Sequence, residues 1–244
     1  MNETIIELDK INKFFPVAER QDLLVLKNVD FQLKQGEIVA LLGKSGSGKS
    51  TLMRIIAGLI APSSGHVYYR QQPVYQPVQG IAMVFQSFAL LPWLTVLQNV
   101  ELGLEALGVE RDERRKRSLK AIDMIGLDGF ESAYPKELSG GMRQRVGFAR
   151  ALVVDPDVLV MDEPFSALDV LTAENLRNDL LELWQNKKTN LSGLILVTHS
   201  IDEAVSLANR ILIFGDNPGY IRAELAVKLP YPRDEEHPTF RKTV

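Results

Sequence analysis

An α/β fold with a mainly parallel sheet is predicted by the way apolar segments alternate along this 244-residue chain. Short runs rich in β-branched residues are bounded by polar or turn residues, which is typical of buried strands. Segments with helical periodicity lie between several of these runs, and strands that alternate with helices form parallel sheets. The predicted strands are 38–42, 81–85, 158–161, 194–197 and 211–214, and the predicted helices are 50–60, 142–154, 173–184 and 202–209.

Two other parts of the chain depart from this alternating pattern. The first ~35 residues and the segment GHVYY are strand-like, and we expect them to form a smaller antiparallel sheet. Residues from about 87 to 153 contain no convincing strand pattern and predict an inserted helical subdomain. Within this subdomain, the run RDERRKR is typical of a solvated helix face. We expect one domain over 1–230 and a loosely packed tail over 231–244, which is rich in proline and charge.

The composition excludes several classes of protein. Apolar residues make up 45% of the chain, which is enough for a sizeable core, and the net charge of −3 lacks the basic excess of a nucleic-acid-binding surface. The chain has no cysteine, so disulfides and thiolate metal sites are excluded. No apolar run approaches the ~20 residues that a membrane-spanning helix needs. We therefore expect a cytoplasmic protein with no nucleic-acid partner, which reaches a membrane only through another protein.

The segment GKSGSGKS follows a predicted strand, precedes a predicted helix and matches the phosphate-binding consensus G-x-x-x-x-G-K-[ST]. Small residues allow successive backbone N–H groups to point at phosphate oxygens, and the helix adds the positive end of its dipole. Lys49 is expected to bridge the β- and γ-phosphates, and the Ser50 hydroxyl to ligate Mg²⁺. The sequence thus predicts a P-loop NTPase. The residues expected to contact the nucleotide here are Gly43, Lys44, Ser45, Gly46, Ser47, Gly48, Lys49, Ser50 and Thr51.

Two adjacent carboxylates end one of the predicted buried strands. In the segment PDVLVMDEP, Asp162 and Glu163 follow apolar residues, and buried carboxylates are costly unless a cation lies near them. Asp162 is expected to hold Mg²⁺, and Glu163 to orient or deprotonate the attacking water. His199 ends another buried strand, where it can reach a γ-phosphate, and from its position alone a structural histidine is the alternative. Gln86 also follows a strand, and its position alone predicts no role.

The segment LSGGMRQR, at 138–145, carries a second set of small residues with flanking arginines. It lies between the phosphate-binding loop and the carboxylate pair, and this order of motifs resembles the ATP-binding subunit of an ABC transporter over residues from about 5 to 230. The resemblance implies the ABC ATPase fold, with ATP and Mg²⁺ as cofactors. It also implies a dimer in which each ATP lies between the phosphate-binding loop of one subunit and Ser139, Gly140 and Gly141 of the other.

The same resemblance assigns roles to further residues. Gln86 matches the Q-loop and would ligate Mg²⁺, Asp169 ends the D-loop sequence SALD, and His199 matches the switch histidine. Phe15 matches the aromatic residue that stacks on adenine, a position that its neighbour Phe14 could also take. The expected catalytic residues are Lys49, Glu163 and His199, and the expected metal ligands are Ser50, Gln86 and Asp162.

A closer resemblance is to importer subunits for nitrate, sulfonate, taurine and bicarbonate, and it rests on LLPWLTVLQNV, LSGGMRQRVGFARAL, DEPFSALDVLT and NPGYI. It implies that the chain energises transport of a small anionic solute at the cytoplasmic face of a membrane. The implied partners are a second ATPase subunit, identical or a paralogue, integral membrane permease subunits and an external solute-binding protein. The alternative is the ATPase subunit of an exporter or a lipid-transport system.

The apolar residues Leu91 and Trp93 in FALLPWLTV form a candidate docking surface for the permease, because this segment is expected to lie near solvent. The alternative is that both side chains pack within the helical subdomain.

Overall fold

The chain is described by a computed structural model over residues 3–18, 22–186, 189–233 and 240–241. The strands are β1 Thr4–Phe15, β2 Leu23–Lys34, β3 Glu37–Leu42, β4 Ser64–Tyr69, β5 Gln72–Pro73, β6 Ile81–Val84, β7 Val158–Asp162, β8 Gly193–Thr198, β9 Arg210–Gly215 and β10 Tyr220–Ala226. The helices are α1 Lys49–Ile56, α2 Val96–Ala106, α3 Arg111–Met124, α4 Gly140–Leu152, α5 Val170–Gln185 and α6 Ile201–Leu207.

The strands form two sheets. The smaller has the order β2-β1-β4-β5, and its strands pair antiparallel. The larger has the order β10-β9-β3-β8-β7-β6, in which β3 pairs parallel with both β8 and β9, and β10 joins β9 antiparallel. The predicted α/β fold, with a mainly parallel sheet and an N-terminal antiparallel sheet, is confirmed.

The chain divides into two compact units. Unit 1 comprises Met1–Ile81, Val160–Asp162 and Ser192–Val244, and unit 2 comprises Ala82–Leu159 and Glu163–Leu191. Helices α2 to α5 belong to unit 2, whereas α1 and α6 belong to unit 1. The boundaries 87–153 of the helical subdomain stay a prediction.

Each unit has its own apolar core. In unit 1, every residue of β8 is buried, as expected for a central strand that is covered on both faces. In unit 2, helices α2, α3 and α4 enclose a cluster that includes Val100, Leu104, Ile122 and Val146, all 0% exposed. The run RDERRKR begins α3 and is mostly exposed, in agreement with the expected solvated face.

The first helix is shorter than predicted. It ends at Ile56, and Gly58 adopts a left-handed backbone with φ of 71°. At this point the N–H groups of Leu59 and Ile60 both donate to the carbonyl of Arg54, a pattern that closes a helix and reverses the chain. The apolar periodicity continues beyond the end of the helix, which is why the sequence predicts a longer helix than the structure has.

The expectation of a loosely packed tail is wrong for the residues that the structure describes. Tyr231 and Arg233 donate hydrogen bonds to backbone carbonyls of unit 1, and Phe240 is 3% exposed. Proline and charge are common in loose tails, but here an aromatic ring and a guanidinium supply specific contacts. The remaining tail residues, 234–239 and 242–244, lie outside the described ranges.

Across the described ranges, no helix is both long enough and apolar enough to cross a membrane.

Candidate active site

The phosphate-binding segment forms a turn between β3 and α1, as its sequence predicted. Gly48 lies at the N-cap of α1 with φ of 94°, in the left-handed region that favours glycine. No side chain caps this helix, whereas Thr95, Ser139, Asp169 and Ser200 cap α2, α4, α5 and α6. Because the first N–H groups of a helix lack intrahelical acceptors, the start of α1 is suited to an anion.

Lys49 is held inside this turn. Its side chain is buried at 4% exposure, and Nζ donates to the carbonyl oxygens of Gly43 at 2.8 Å and Lys44 at 2.6 Å, and to Ser47 Oγ at 3.4 Å. A buried ammonium requires such acceptors, because burial without hydrogen bonds is costly. The phosphate-binding turn therefore positions the ammonium of Lys49 among its own oxygen atoms.

Ser50, in the first turn of α1, and Asp162, at the carboxyl end of β7, lie close together in unit 1. Ser50 Oγ donates to Asp162 Oδ1 over 2.9 Å, and Asp162 is 6% exposed. Hydroxyl and carboxylate oxygens are ligands that Mg²⁺ accepts, usually together with water and phosphate oxygens. This pair therefore fits a magnesium ion, which would take its remaining ligands from phosphate or water.

A support for the phosphate-binding turn was not predicted from the sequence. A Cβ atom on Gly219, in the turn between β9 and β10, would overlap the carbonyl oxygen of Ser47, and one on Gly43 would lie 2.8 Å from the carbonyl oxygen of Phe214. The Gly219 N–H donates to the carbonyl of Val25 over 2.8 Å. The turn between β9 and β10 therefore contacts the phosphate-binding turn directly. The NPGYI segment marks this turn in the sequence, but nothing in the segment indicates a contact with Ser47.

Replacing Gly219 with alanine is expected to weaken ATP binding. The added methyl group must displace the backbone of Ser47, and overpacking of this kind costs about 1–3 kcal/mol of folding stability. If the turn carries all of this strain, the free energy corresponds to an upper limit of roughly 5- to 150-fold in ATP affinity. Isothermal titration with ATP measures the change. Gly193→Ala is the control, since its methyl group would meet side chains and no backbone atom, namely Leu33 at 2.6 Å and Ile5 at 3.6 Å. Equal ATP affinities in Gly219→Ala and the unmodified protein would contradict the predicted contact.

Three further residues of unit 1 that the sequence singled out lie at the surface. His199 directly follows β8 and is exposed, as expected for a residue at the carboxyl end of a parallel strand. Phe15 and Phe14 end β1 with 37% and 41% exposure, and Lys13 Nζ lies 5.1 Å from the centre of the Phe15 ring. Both rings are thus accessible to a planar ligand.

In unit 2, the LSGG segment forms the start of α4. Ser139 is the N-cap, and its Oγ accepts from the N–H of Met142 over 3.2 Å. Gly141 is buried in the first turn, and a Cβ there would overlap Cγ2 of Thr172 in α5. The helix begins at Gly140, so the exposed Ser139 lies at the positive end of the α4 dipole.

Gln86 and Glu163 meet in unit 2, although 77 residues separate them. Gln86 Nε2 donates to Glu163 Oε2 over 3.2 Å and to Ser166 Oγ over 3.4 Å. Glu163 itself has φ of 46°, an uncommon left-handed conformation for a residue with a side chain. Such outliers are concentrated at functional sites. Thus the amide of Gln86 contacts the carboxylate that the sequence assigned to catalysis.

Asp169 has a structural role at the end of the SALD segment. It caps α5, with Oδ1 accepting from the N–H of Thr172 over 3.0 Å. Hydrogen bonds from the Thr172 backbone lower the pKa of Asp169. Thr172 is also the residue packed against Gly141, so the start of α4 and the start of α5 share this contact.

The loop after Gln86 is fixed to α4 by two arginines. Phe88 and Ala89 have φ of 63° and 48°, and their carbonyls accept from the guanidinium of Arg150 at 2.8 and 2.5 Å. Arg143 lies over the Phe88 ring, 5.6 Å from its centre. Burial lowers the pKa of Arg150, although a guanidinium retains its charge at neutral pH.

The candidate docking residues differ in exposure. Trp93 is 69% exposed, whereas Leu91 is half-buried, so the alternative that both pack inside the subdomain is excluded for Trp93. Beneath them, the fully buried Asn99 accepts from the Leu91 N–H at 2.8 Å and donates to the carbonyls of Leu91 at 3.1 Å, Leu94 at 3.0 Å and Thr95 at 3.0 Å.

The predicted residues therefore form two groups, one in each unit. Unit 1 brings together Lys49, Ser50 and Asp162, with His199 and Phe15 at strand ends of the same unit. The second group, in unit 2, consists of Gln86, Ser139, Gly140, Gly141, Glu163 and Asp169.

Comparison with known proteins identifies the family. Residues 26–166 match the family described as ABC transporter. The chain is 44% identical over 97% of its length to the nitrate import ATP-binding protein of a Synechocystis species, covering 86% of that protein. It is 42% identical over 97% of its length to an aliphatic sulfonates import ATP-binding protein of Bacillus cereus, covering 92% of that protein.

A solved structure gives the same result. It is the dimeric post-hydrolysis state of an ATP-binding cassette bound to ADP and Pi, which is 34% identical and superimposes with a TM-score of 0.81 over 93% of this chain and 100% of that one. A second dimeric cassette structure has a TM-score of 0.80. The chain thus belongs to the ABC transporter family, as an ATP-binding subunit that hydrolyses ATP.

Proposed function

We propose that this chain hydrolyses ATP to drive the import of a small anionic solute through a partner permease. The observation that carries the proposal is its 44% and 42% identity, over almost the whole chain, to proteins named for the import of nitrate and aliphatic sulfonates. Both solutes are anions. The hydrogen-bonded pair of Ser50 and Asp162 beside the turn that holds Lys49 supports the ATPase activity on which import depends.

In unit 1, the residues around the phosphate-binding turn bind and orient the triphosphate. The N–H groups at the start of α1 hold phosphate oxygens, and Lys49 Nζ exchanges its carbonyl acceptors for β- and γ-phosphate oxygens. Ser50 and Asp162 would hold Mg²⁺, which neutralises charge between the β- and γ-phosphates when bound. His199 lies at the carboxyl end of β8 and supplies a hydrogen bond to the γ-phosphate. The ring of Phe15, or of Phe14, stacks on adenine.

In unit 2, Glu163 would accept a proton from the attacking water, and Gln86, which donates to the Glu163 carboxylate, would hold that carboxylate in place. The amide oxygen of Gln86 would serve as a ligand for Mg²⁺ when the ion is bound. The exposed Ser139 and the first N–H groups of α4 bind the γ-phosphate of ATP held by a second subunit. Two dimeric structures of one cassette that resembles this chain support such a pairing. Hydrolysis removes the γ-phosphate and with it this contact between subunits.

The implied partners are integral membrane permease subunits and an external solute-binding protein. The chain would act at the cytoplasmic face, where ATP is available. The exposed indole of Trp93 supports a docking position for the permease, because a partner that covers this large apolar side chain gains the free energy of removing it from water.

The direction of transport and the solute can be tested together. The chain is purified with the permease subunits that bind it, reconstituted in vesicles with ATP on its own side, and supplied with labelled nitrate, an alkyl sulfonate, taurine or bicarbonate on the opposite side with the binding protein. We expect one of these solutes to accumulate on the ATP side, and the Asp162→Asn variant to abolish the accumulation. Movement away from the ATP side would favour the exporter alternative, and transport of no anion would contradict the proposed solute class.

A further inference from the structure

The C-terminal segment that follows β10 binds the end of helix α6. Arg233 donates through one guanidinium nitrogen to the carbonyl oxygens of Val205 at 2.5 Å and Ala208 at 2.6 Å, and Tyr231 Oη donates to the carbonyl of Leu207 at 2.5 Å. Arg233 Nε also donates to the carbonyl of Leu229 at 3.1 Å. The last carbonyls of a helix lack intrahelical donors, so these side chains satisfy them.

The course of the main chain makes these contacts necessary. The N–H of Asn209 would complete the helix by donating to Val205, but it donates to the carbonyl of Ile38 in β3 over 2.8 Å, and Ala208 is already extended with ψ of 146°. Val205 is 1% exposed, so water reaches its carbonyl poorly and Arg233 takes the place of the missing donor.

The charge and packing of the pair suit this position. The Arg233 guanidinium lies 4.2 Å from the centre of the Tyr231 ring, as in a cation–π contact. A positive charge at the C-terminus of a helix is favourable because it complements the helix dipole. Burial lowers the pKa of Arg233 and raises that of Tyr231. A guanidinium nevertheless keeps its charge at neutral pH, and the raised pKa keeps the phenol neutral, so the pair is a cation beside a neutral phenol.

The opposite end of α6 carries His199. Ser200 is the N-cap, and its N–H donates to Thr198 Oγ1 over 3.0 Å. Thr198 Oγ1 in turn donates to Glu203 Oε2 over 2.5 Å, and the Glu203 N–H donates to Ser200 Oγ over 3.3 Å. His199 thus lies between two residues that are tied to the first turn of α6. Its backbone position depends on where that helix lies.

We propose that Arg233, together with Tyr231, is a positioning residue for His199, acting through α6. The helix has 7 residues, about 10 Å in length, so its position depends on tertiary contacts. These contacts are its packing against β3 and β8 and the hydrogen bonds at its C-terminal end. With Arg233 in place, the two ends are fixed and His199 faces the γ-phosphate in one arrangement. This inference rests on the proposed contact of His199 with the γ-phosphate.

The test compares Arg233→Ala and Arg233→Lys in the full chain. Because displacement of a catalytic group by about 1 Å can cost ~100-fold, we expect kcat for ATP to fall about 10- to 100-fold in Arg233→Ala, with KM changed less than twofold. Arg233→Lys retains a donor for Val205 and Ala208 and should recover part of kcat. Tyr231→Phe, which removes one hydroxyl, should give a smaller loss. Arg222→Ala is the matched control, since Arg222 is an exposed arginine of β10.

A second measurement separates positioning from general destabilisation. The chain has 3 histidines, so the imidazole resonances of His199 can be assigned by comparison with His199→Ala. In Arg233→Ala these resonances should shift or broaden, and amide exchange across 201–207 should accelerate, at a temperature where all variants are folded; Arg222→Ala should change neither. Unchanged His199 resonances and unchanged kcat in Arg233→Ala would overturn the proposal. If His199→Ala itself retained normal turnover, the proposed role of His199 would fail instead.

Discussion

Replacing Glu163 with glutamine should leave ATP bound and reduce hydrolysis by about 10²- to 10⁴-fold, the range that a general base contributes. Glutamine has the shape of glutamate, and its amide oxygen can still accept from Gln86 Nε2, which donates to Glu163 Oε2 over 3.2 Å. The left-handed backbone at this position is therefore retained, and only the proton acceptor is lost. Because ATP is not consumed, a dimer should accumulate, which size-exclusion chromatography with ATP measures against phosphate release.

The matched control is Glu174→Gln, which neutralises an exposed carboxylate on α5 in the same unit. It should hydrolyse ATP at the unmodified rate and show no ATP-dependent dimer beyond that of the unmodified chain. Turnover of Glu163→Gln within twofold of normal would show that Glu163 is not the base.

Replacing Ser139 with arginine is the second change with a large expected effect. Ser139 is exposed and precedes α4, so we expect arginine to block the γ-phosphate of ATP on the facing subunit and to reduce hydrolysis by about 10²-fold or more, the loss expected when one donor to a developing charge is removed. ATP binding to the isolated subunit should persist, because the phosphate-binding turn of the same chain is untouched. Fluorescence titration with a labelled ATP analogue measures binding, and phosphate release measures turnover.

Ser139 also caps α4, and loss of an N-cap costs about 0.5–2 kcal/mol of stability, so the effect of this loss must be separated from the loss of the contact between subunits. Ser139→Ala removes the cap without bulk, and Ser139→Thr keeps it, so urea unfolding of the three variants separates stability from the contact between subunits. In the Glu163→Gln background, Ser139→Arg should prevent the trapped dimer. A parallel loss of ATP affinity and turnover would instead place Ser139 at the nucleotide of its own subunit.

Strong local signals made the fold and the positions of the phosphate-binding turn and of the α4 N-cap predictable. The strands before Gly43 and after Asp157 are continuous apolar runs because both faces are covered, and a phosphate-binding turn needs glycine at defined positions such as Gly48. Ser139 was singled out by a motif, and its capping of α4 follows from the preference for serine at N-caps. These features depend on neighbours within a few residues, which is why the sequence reveals them.

Other features depend on residues far apart in the chain. Gly219 contacts Ser47 across 172 positions, and nothing local indicates that only glycine fits there. In the sequence, Arg233 looks like any charged residue of a tail. Its role depends on the end of α6, where the main chain provides no donor for the carbonyl of Val205. The predicted end of α1, residue 60, lies beyond the observed end at Ile56. Gly58 stops the helix, whereas the apolar periodicity continues past it.

The fully buried amide of Asn99 has a thermodynamic consequence for any protein that covers Trp93. By joining the main chain of Leu91, Leu94 and Thr95, it fixes this loop when the chain folds, and ordering a backbone costs about 1–2 kcal/mol per residue. When a partner covers the indole, little further conformational entropy of this loop is lost, because the loop is already ordered. The affinity of that encounter is set by the surface it buries and by the immobilisation of the partner's own side chains.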